Sequence, residues 1–286
     1  MRTLGLLGLV AAVLAATALA SPWVAWDAAV VVGRPFAFAR VYDRVFEVLL
    51  AAGLLASWRR LDLGSATGIG FRRHAWAREL GRGLAIGLAG LGVGLVVAAL
   101  FGGVAPALRF PPGKTLRKAL LGAGAAVALA VGEEALFRGI VLRRIRRDAG
   151  DLLAVAATAL LYAAVHVIRA RSFGGPVDAW SGVAQTITLF APLASGAALP
   201  QLLGLALLGW LLAVARLRSS ALWLPIGIHA AWVATFRVGR LFFGIRPTPA
   251  WLVGTGWPPL VGGVAGWIAV GVAAALLARR RLMFRS

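Results

Sequence analysis

The sequence contains no cysteine and few charged residues. Without Cys, the chain has no disulfide, no thiol nucleophile, no iron–sulfur cluster and no zinc site built from thiolates. Charged residues make up only 14% of the chain, against the roughly 25% that is usual in soluble domains. Since 60% of the residues are hydrophobic, the composition excludes both a soluble globular enzyme and a disordered chain.

Acidic residues are the scarcer charge. The chain has 30 Lys and Arg against 10 Asp and Glu, a net charge of +20, which in a soluble protein would indicate nucleic-acid binding. Here the basic residues lie between long apolar stretches, as in the loops of a multi-pass membrane protein. We therefore expect the lipid bilayer, and no nucleic acid, as a partner. Only Lys114 and Lys118 are lysines; this Arg bias is typical of GC-rich bacteria and suggests a bacterial cytoplasmic membrane.

Eight apolar segments approach the length of about 20 residues that a membrane-spanning helix needs. They are residues 4–22, 41–57, 83–106, 118–141, 152–168, 187–214, 220–236 and 258–278. The predicted fold is all-α: a single membrane domain over 1–286, with a bundle of about eight transmembrane helices. Pro192 and Pro200 predict a kinked or re-entrant sixth segment. Glycines four residues apart predict close helix packing at Gly83/Gly87, Gly90/Gly94 and Gly262/Gly266.

The first segment can be interpreted in two ways. Ala18-Leu19-Ala20 before Ser21 resembles the cleavage site of a signal peptide. The apolar run is long for a signal, and Trp23 and Trp26 stand where interfacial anchors are found. We expect an uncleaved first helix.

The fourth segment carries three charges in the string Gly-Glu-Glu-Ala-Leu-Phe-Arg-Gly, residues 132–139. Charges inside a span are costly, so each one is a functional hypothesis. Glu134 and Arg138 are four residues apart with Glu first, the favoured order for an ion pair on a helix. Glu133 stands outside this pair, about 100° around the helix. A carboxyl in that position suits a general base or acid.

Two of the three histidines also fall inside apolar segments. His166 lies at the end of the fifth segment, four residues after Tyr162, and His229 lies in the middle of the seventh. A single buried His is usually structural. Two of them, together with Glu133 on a third segment, indicate a shared polar site.

These motifs resemble one family. Glu-Glu-x-x-x-Arg on one span, aromatic-x-x-x-His on the next, and a later His after a Pro-containing entry are similar to the CAAX protease and bacteriocin-processing (CPBP, or Abi) family. This family includes the type II CAAX prenyl endopeptidases, described as glutamate-dependent intramembrane proteases. The resemblance covers residues 117–236 as a catalytic core, and the flanking helices match only in character.

The resemblance implies roles for the charged residues. Glu133 corresponds to the catalytic Glu of the family, with Glu134 and Arg138 as its paired Glu and Arg. His166 corresponds to the first catalytic His, and His229 to the His of the later His-x-x-x-Asn motif. The two departures from the family are both expected to line the substrate site.

Those departures are Tyr162, where the family usually has Phe, and Val233, where it has Asn. Val233 cannot supply the hydrogen bond of an oxyanion-stabilising amide, and the chain contains no Asn to replace it. The resemblance implies peptide-bond hydrolysis without a cofactor, in a membrane-associated peptide or protein. Water would lie between Glu133 and His166, and His229 would donate to the oxyanion. The substrate itself stays open.

Three alternatives are compatible with the same residues. Glu133, His166 and His229 could hold zinc with one open position, although no His-Glu-x-x-His helix is present. Val233 favours a catalytically weak or inactive membrane interaction or immunity protein of the same fold. A proton-coupled transporter would also use buried Glu and His, but the sequence has no internal repeat.

Overall fold

The computed structural model describes residues 2–60, 64–168, 175–194, 196–219, 221–246 and 249–279. Within these ranges nearly all regular structure is helical. The longer helices are α1 (Arg2–Val32), α2 (Phe38–Ala56), α4 (Trp76–Leu100), α5 (Pro112–Glu134), α6 (Leu142–Val167), α7 (Ser181–Leu189), α8 (Leu199–Arg218), α9 (Trp223–Gly239) and α11 (Val264–Ala278). Short helices are α3 (Ala66–Ile69) and α10 (Ala250–Val253), and two strands are β1 (Val104–Pro106) and β2 (Phe243–Ile245).

The all-α membrane class is confirmed, but fewer than eight helices are by themselves long and apolar enough to cross a bilayer. In the described ranges, four stretches are long and apolar enough: Gly5–Val32, Trp76–Leu100, Pro112–Val167 and Gly196–Arg218. The third has 56 residues and contains both the fourth and the fifth predicted segments. The predicted second, seventh and eighth segments form helices that are too charged (α2) or too short (α9 and α11, 17 and 15 residues). Ser220, where the seventh prediction begins, lies outside the described residues.

The 56-residue stretch is not a uniform helix. Immediately after α5 the backbone forms a π-helix over Ala135–Val141, and α6 follows directly. At Gly150 the backbone has φ 80° and ψ 176°, a conformation that glycine adopts without the steric penalty of a Cβ. Gly150 therefore divides α6 into two arms, of which the second carries Tyr162 and His166.

The sixth predicted segment is divided, as its prolines indicate. α7 ends at Leu189, two short 3-10 helices cover Ala191–Ala194 and Gly196–Ala198, and α8 begins only at Leu199. Pro200 lies in the first turn of α8, where its missing N–H has no helical partner to lose. The first helix is longer than predicted, because α1 continues through Pro22 to Val32.

The chain forms two compact units, residues 1–64 with 165–196, and residues 65–164 with 197–286. The first unit contains α1, α2 and α7. A Cβ on Gly182 would lie 1.9 Å from the carbonyl oxygen of Ala18, so α7 packs directly on the backbone of α1. The Tyr42 hydroxyl lies 2.6 Å from Thr186 Oγ1, which joins α2 to α7. The single membrane domain over 1–286 stays a prediction.

The second unit is packed around α4. A Cβ on Gly83 would lie 2.2 Å from the Leu224 carbonyl oxygen in α9, and one on Gly94 would lie 2.6 Å from the Ala265 carbonyl oxygen in α11. The predicted pairs Gly83/Gly87 and Gly90/Gly94 are thus confirmed as close-packing sites. The pair Gly262/Gly266 does not lie on one helix, because α11 begins only at Val264. Gly262 nevertheless allows a close approach, since a Cβ at this position would lie 3.2 Å from the backbone of Gln201 in α8.

A two-stranded antiparallel sheet follows the ends of α4 and α9. β1 and β2 pair with Val104 opposite Ile245 and Pro106 opposite Phe243. This pairing fixes the chain that enters α5 against the chain that leaves α9. It places the start of α5 and the end of α9 side by side.

Candidate active site

The two acidic residues predicted to be functional lie at the junction of α5 and the π-helix. Glu133 and Glu134 are the last residues of α5, and Arg138 lies inside the π-helix. π-helical turns are rare and occur frequently at functional sites. The sequence region with the highest density of buried charge is therefore also the region where helical geometry changes.

Glu134 and Arg138 form the predicted ion pair. Arg138 Nη1 donates to Glu134 Oε1 at 2.9 Å, and both side chains have 0% exposure. Arg138 Nη2 donates to the carbonyl oxygen of Gly209 in α8 at 3.0 Å. The guanidinium is thus held by two acceptors from two helices, as a buried charge requires.

The same carboxylate oxygen also binds His229. Nδ1 of His229 lies 2.9 Å from Glu134 Oε1. A carboxylate only accepts hydrogen bonds, so Nδ1 carries the proton and Nε2 is the ring nitrogen left for other partners. Glu134 therefore fixes the orientation of the imidazole, in the way that a carboxylate orients the His of a catalytic triad.

Nε2 of His229 faces Glu133. The distance from Nε2 to Glu133 Oε2 is 3.8 Å, which is longer than a hydrogen bond and short enough for strong charge interaction. The Glu133 side chain is 22% exposed and that of His229 is 3% exposed. Of the two carboxyl groups, Glu133 is the accessible one and Glu134 is the enclosed one.

Tyr162 closes the cluster from α6. Its hydroxyl lies 3.4 Å from His229 Nε2, and its ring lies 4.7 Å from the Arg138 guanidinium carbon. Phe137 packs edge-on against the same ring at 5.4 Å between centroids. The aromatic faces cover the ion pair and exclude water from it, which strengthens its electrostatic interactions.

A comparison with known protein families identifies the segment that carries these residues. Residues 115–235 match the family model described as Type II CAAX prenyl endopeptidase Rce1-like. This segment is similar to the Rce1-like family. The match confirms the resemblance drawn from the motifs, and every predicted site residue falls within it. No curated protein and no solved structure matches the chain.

Two other predicted residues, Val233 and His166, each lie one helical turn after a member of the charged cluster. Val233 is half-buried in α9, one turn after His229. His166 is half-buried in the last turn of α6, four residues after Tyr162, and belongs to the first unit. The structure brings together Glu133, Glu134, Arg138, Tyr162 and His229, all in the second unit. The role of His166 stays a prediction of the resemblance.

Two participants were not anticipated from the sequence. A Cβ on Gly209 would lie 3.0 Å from the backbone of Ala159 and 3.2 Å from the Tyr162 ring. Glycine thus allows α8 to approach α6 and brings its carbonyl to Arg138. Trp232, three residues after His229, is 2% exposed. Its indole N–H has no acceptor among the described residues, and no motif in the sequence marks it.

The zinc alternative stays a prediction. In the part of the chain that the structure describes, no group of three or more His, Asp or Glu side chains has the arrangement of a metal site. Glu134 Oε1 lies 2.9 Å from Nδ1 of His229, so a metal bound by this residue would have to meet Nε2.

Proposed function

We propose that the chain is an intramembrane endopeptidase that cleaves a peptide bond with water activated by Glu133. The observation that carries this proposal is the arrangement of His229 between two carboxylates, with Nδ1 held at 2.9 Å by Glu134 and Nε2 facing Glu133 at 3.8 Å. The Rce1-like match of residues 115–235 supports peptide hydrolysis as the reaction class.

Charge balance supports a specific protonation state for the cluster. Glu133, Glu134, Arg138 and a doubly protonated His229 sum to zero net charge, whereas a neutral His229 leaves one negative charge over. An uncompensated charge in a low-dielectric interior costs several kcal/mol. The proposed reaction uses a His229 that carries protons on both ring nitrogens, with Nε2–H available as a donor.

The reaction then follows from the positions of these groups. The Glu133 carboxylate accepts a proton from water, and the water oxygen attacks the scissile carbonyl carbon. His229 Nε2–H donates to the oxyanion that develops on the carbonyl oxygen. As the C–N bond breaks, Glu133 returns its proton to the leaving amine. No covalent intermediate forms and no cofactor is needed.

The remaining residues have supporting roles. Glu134 stabilises the imidazolium, and Arg138 holds Glu134 in place. Tyr162 and Val233 line the substrate position, and His166 shares the activation of water with Glu133, as the resemblance implies. The substrate is a membrane-associated peptide or protein, and the cell membrane is the cytoplasmic membrane of a bacterium.

Replacing Glu133 with Gln tests the assignment, because the amide keeps the volume and removes the base. In cells that express the full chain, the new N-termini that depend on the wild-type protein should be lost in Glu133→Gln. The rate on a substrate found in this way should fall by at least about 10²-fold, a typical loss for a general base. Glu47→Gln, at an exposed Glu paired with Arg44 in α2, is the matched control and should keep the activity.

One observation favours a second function. Val233 cannot donate a hydrogen bond, so the segment could retain the fold as a membrane interaction or immunity protein without turnover. Identical N-termini in cells with the wild-type chain, with Glu133→Gln and without the chain would contradict the protease and leave this second function. Wild-type cleavage rates in purified Glu133→Gln would contradict the role of Glu133 alone.

A further inference from the structure

A second polar feature lies at the opposite end of α5, away from Glu133 and Glu134. A cavity of about 380 Å³ opens between the start of α5 and the end of α9, in the second unit. Four cationic side chains line it: Arg109, Lys118, Arg237 and Arg240. Its apolar lining comes from Phe110, Leu121 and Leu241, with Gly122 and Ala125.

The cavity is built by one face of α5. Lys118, Leu121, Gly122 and Ala125 have the three- and four-residue spacing of a single helical face. At Gly122 a Cβ would lie 3.4 Å from Val238 Cγ2, so α5 and α9 are neighbours at this level. An adjoining cavity of about 360 Å³ shares Arg109 and Arg240 with the first. These two guanidiniums therefore stand between two openings.

The cationic charge of this cavity has no acidic partner among the residues that the structure describes. Neither cavity is lined by Asp or Glu. The sequence has no acidic residue between Glu79 and Glu133 and none after Asp178. Among the described residues, no ion pair involves any of the four lining cations. The cavity is therefore suited to an anion from outside the protein.

The start of α5 adds to this positive potential. Lys114, Arg117 and Lys118 fall in its first two turns, and its first turn contains no acidic residue. The N-terminus of a helix carries a partial positive charge, so cations there are unfavourable and anions are favourable. The ammonium groups of Lys114 and Lys118 both lie 4.8 Å from the Phe110 ring centre. An aromatic ring attracts cations but does not neutralise them.

The depth of the cavity indicates the source of the anion. From Lys118 to Arg143 the helix advances by about 37 Å, at a rise of about 1.5 Å per residue. This exceeds the roughly 30 Å hydrocarbon thickness of a bilayer and stays within its roughly 40–45 Å total thickness. Lys118 therefore lies among lipid headgroups when the Arg143 end reaches those of the other leaflet. Leu116 and Leu120, 62% and 66% exposed beside it, are suited to acyl chains.

We propose that this cavity binds the phosphate group of an anionic phospholipid. The guanidiniums of Arg237 and Arg240 contact the phosphate oxygens from one side, and the ammonium group of Lys118 contacts them from the other. Phe110 and Leu121 contact the glycerol and acyl region of the lipid. Guanidinium groups match phosphate oxygens in pairs, and bilayer surfaces supply anionic headgroups at this depth.

The test measures thermal stability of the full chain in neutral detergent with increasing amounts of a short-chain lipid. Dioctanoyl phosphatidylglycerol should raise Tm and give a Kd, whereas dioctanoyl phosphatidylcholine and inorganic phosphate should not. Arg237→Gln/Arg240→Gln should weaken Kd for phosphatidylglycerol by about tenfold or more. The control Arg73→Gln/Arg78→Gln makes the same charge change at exposed residues outside the cavity and should leave Kd within about twofold.

Each arm separates a different explanation. If both double variants weaken the binding of phosphatidylglycerol equally, the lipid is attracted by the general positive charge of the protein and not by this cavity, which would overturn the proposal. Equal stabilisation by inorganic phosphate would show that the ligand is free phosphate and not a lipid.

If Arg237→Gln/Arg240→Gln does not fold, two other variants test the site: Lys118→Gln and the charge-keeping Arg237→Lys/Arg240→Lys. The first should weaken binding, and the second should weaken Kd by about three- to tenfold, because Lys keeps the positive charges but loses the paired hydrogen bonds of the guanidinium groups. Unchanged binding in Lys118→Gln would overturn the proposal.

Discussion

The two ends of α5 carry charge in opposite ways. At the C-terminal end, Glu134 has 0% exposure, and one of its oxygens meets both Arg138 and His229 at 2.9 Å. At the N-terminal end, Lys118 lines an open cavity with Arg237 and no acidic residue. The first set of charges is neutralised within the chain, and the second set is not.

The difference follows from the surroundings of each end. A charge enclosed by helices has no water, so a partner from the same chain must remove the cost of burial. A charge at headgroup depth meets water, salt and anionic lipids, which act as partners from outside. Substitutions at the two ends of α5 should therefore change the stability of the protein in opposite directions and by different amounts.

The largest effect is expected from breaking the buried pair. Arg138→Ala leaves Glu134 without its guanidinium and should destabilise the protein by about 3–5 kcal/mol. Arg138→Lys keeps the charge and should cost less, although it loses the second hydrogen bond to Gly209. Thermal unfolding in detergent measures both. Equal Tm values for the wild type and Arg138→Ala would contradict a stabilising pair.

Removing both partners tests whether the cost arises from a stranded charge. Glu134→Leu/Arg138→Met buries no charge at these positions and leaves only His229 Nδ1 without its acceptor, which costs about 1–3 kcal/mol. The double variant should therefore unfold at a higher temperature than Arg138→Ala, while proteolysis is lost because His229 is no longer oriented. A double variant less stable than the single one would show that packing, and not charge, dominates.

A smaller gain is expected from Val233→Asn. An amide one turn after His229 adds the hydrogen-bond donor that the family motif has there, and one oxyanion donor is worth roughly 10²–10³ in rate. Since the position must also align with the substrate, we expect a rise in cleavage rate of about tenfold or more. Val233→Leu is the control and should not raise the rate. An unchanged rate in folded Val233→Asn would place the oxyanion donors elsewhere.

The smallest effect, of opposite sign, is expected at the other end of α5. Lys114→Glu replaces a cation by an anion in the first turn and should stabilise the protein in neutral detergent by about 0.3–1 kcal/mol. Lys114→Gln should give part of this gain. Destabilisation by both variants would mean that the contact of Lys114 with the Phe110 ring outweighs the helix dipole.

The sequence predicts the local part of the site and not its long-range part. The spacing of Glu134 and Arg138 is a property of one helix, so the pair was predicted correctly. The contact between Glu134 and His229 joins residues 95 positions apart, and helical periodicity predicts only contacts between residues close in the sequence. The family motif groups these residues but does not indicate that Nδ1 of His229 faces Glu134. Gly209 could not be predicted from the sequence, because it contributes a backbone carbonyl oxygen, which every residue has.

The fold shows the same division. Hydropathy predicts the helical membrane class because burial in lipid depends on composition. It does not predict helix ends, since these depend on single residues. The first predicted segment ends at residue 22, yet α1 continues through Pro22 to Val32. Gly150 produces a break inside α6 that an apolar count cannot detect.

The π-helix at Ala135–Val141 has a consequence for the alignment of related sequences. A hydrogen bond from i to i+5 accommodates one residue more than the i to i+4 bond of an α-helix. Deleting one residue from 135–137 would therefore allow an ordinary α-helix and leave the residues up to Gly150 near their present orientation relative to Glu134. Arg138 would then follow Glu134 by three positions instead of four, a spacing that still places both side chains on one helical face. Functional relatives that are α-helical here should therefore align with a gap of one residue between these two residues.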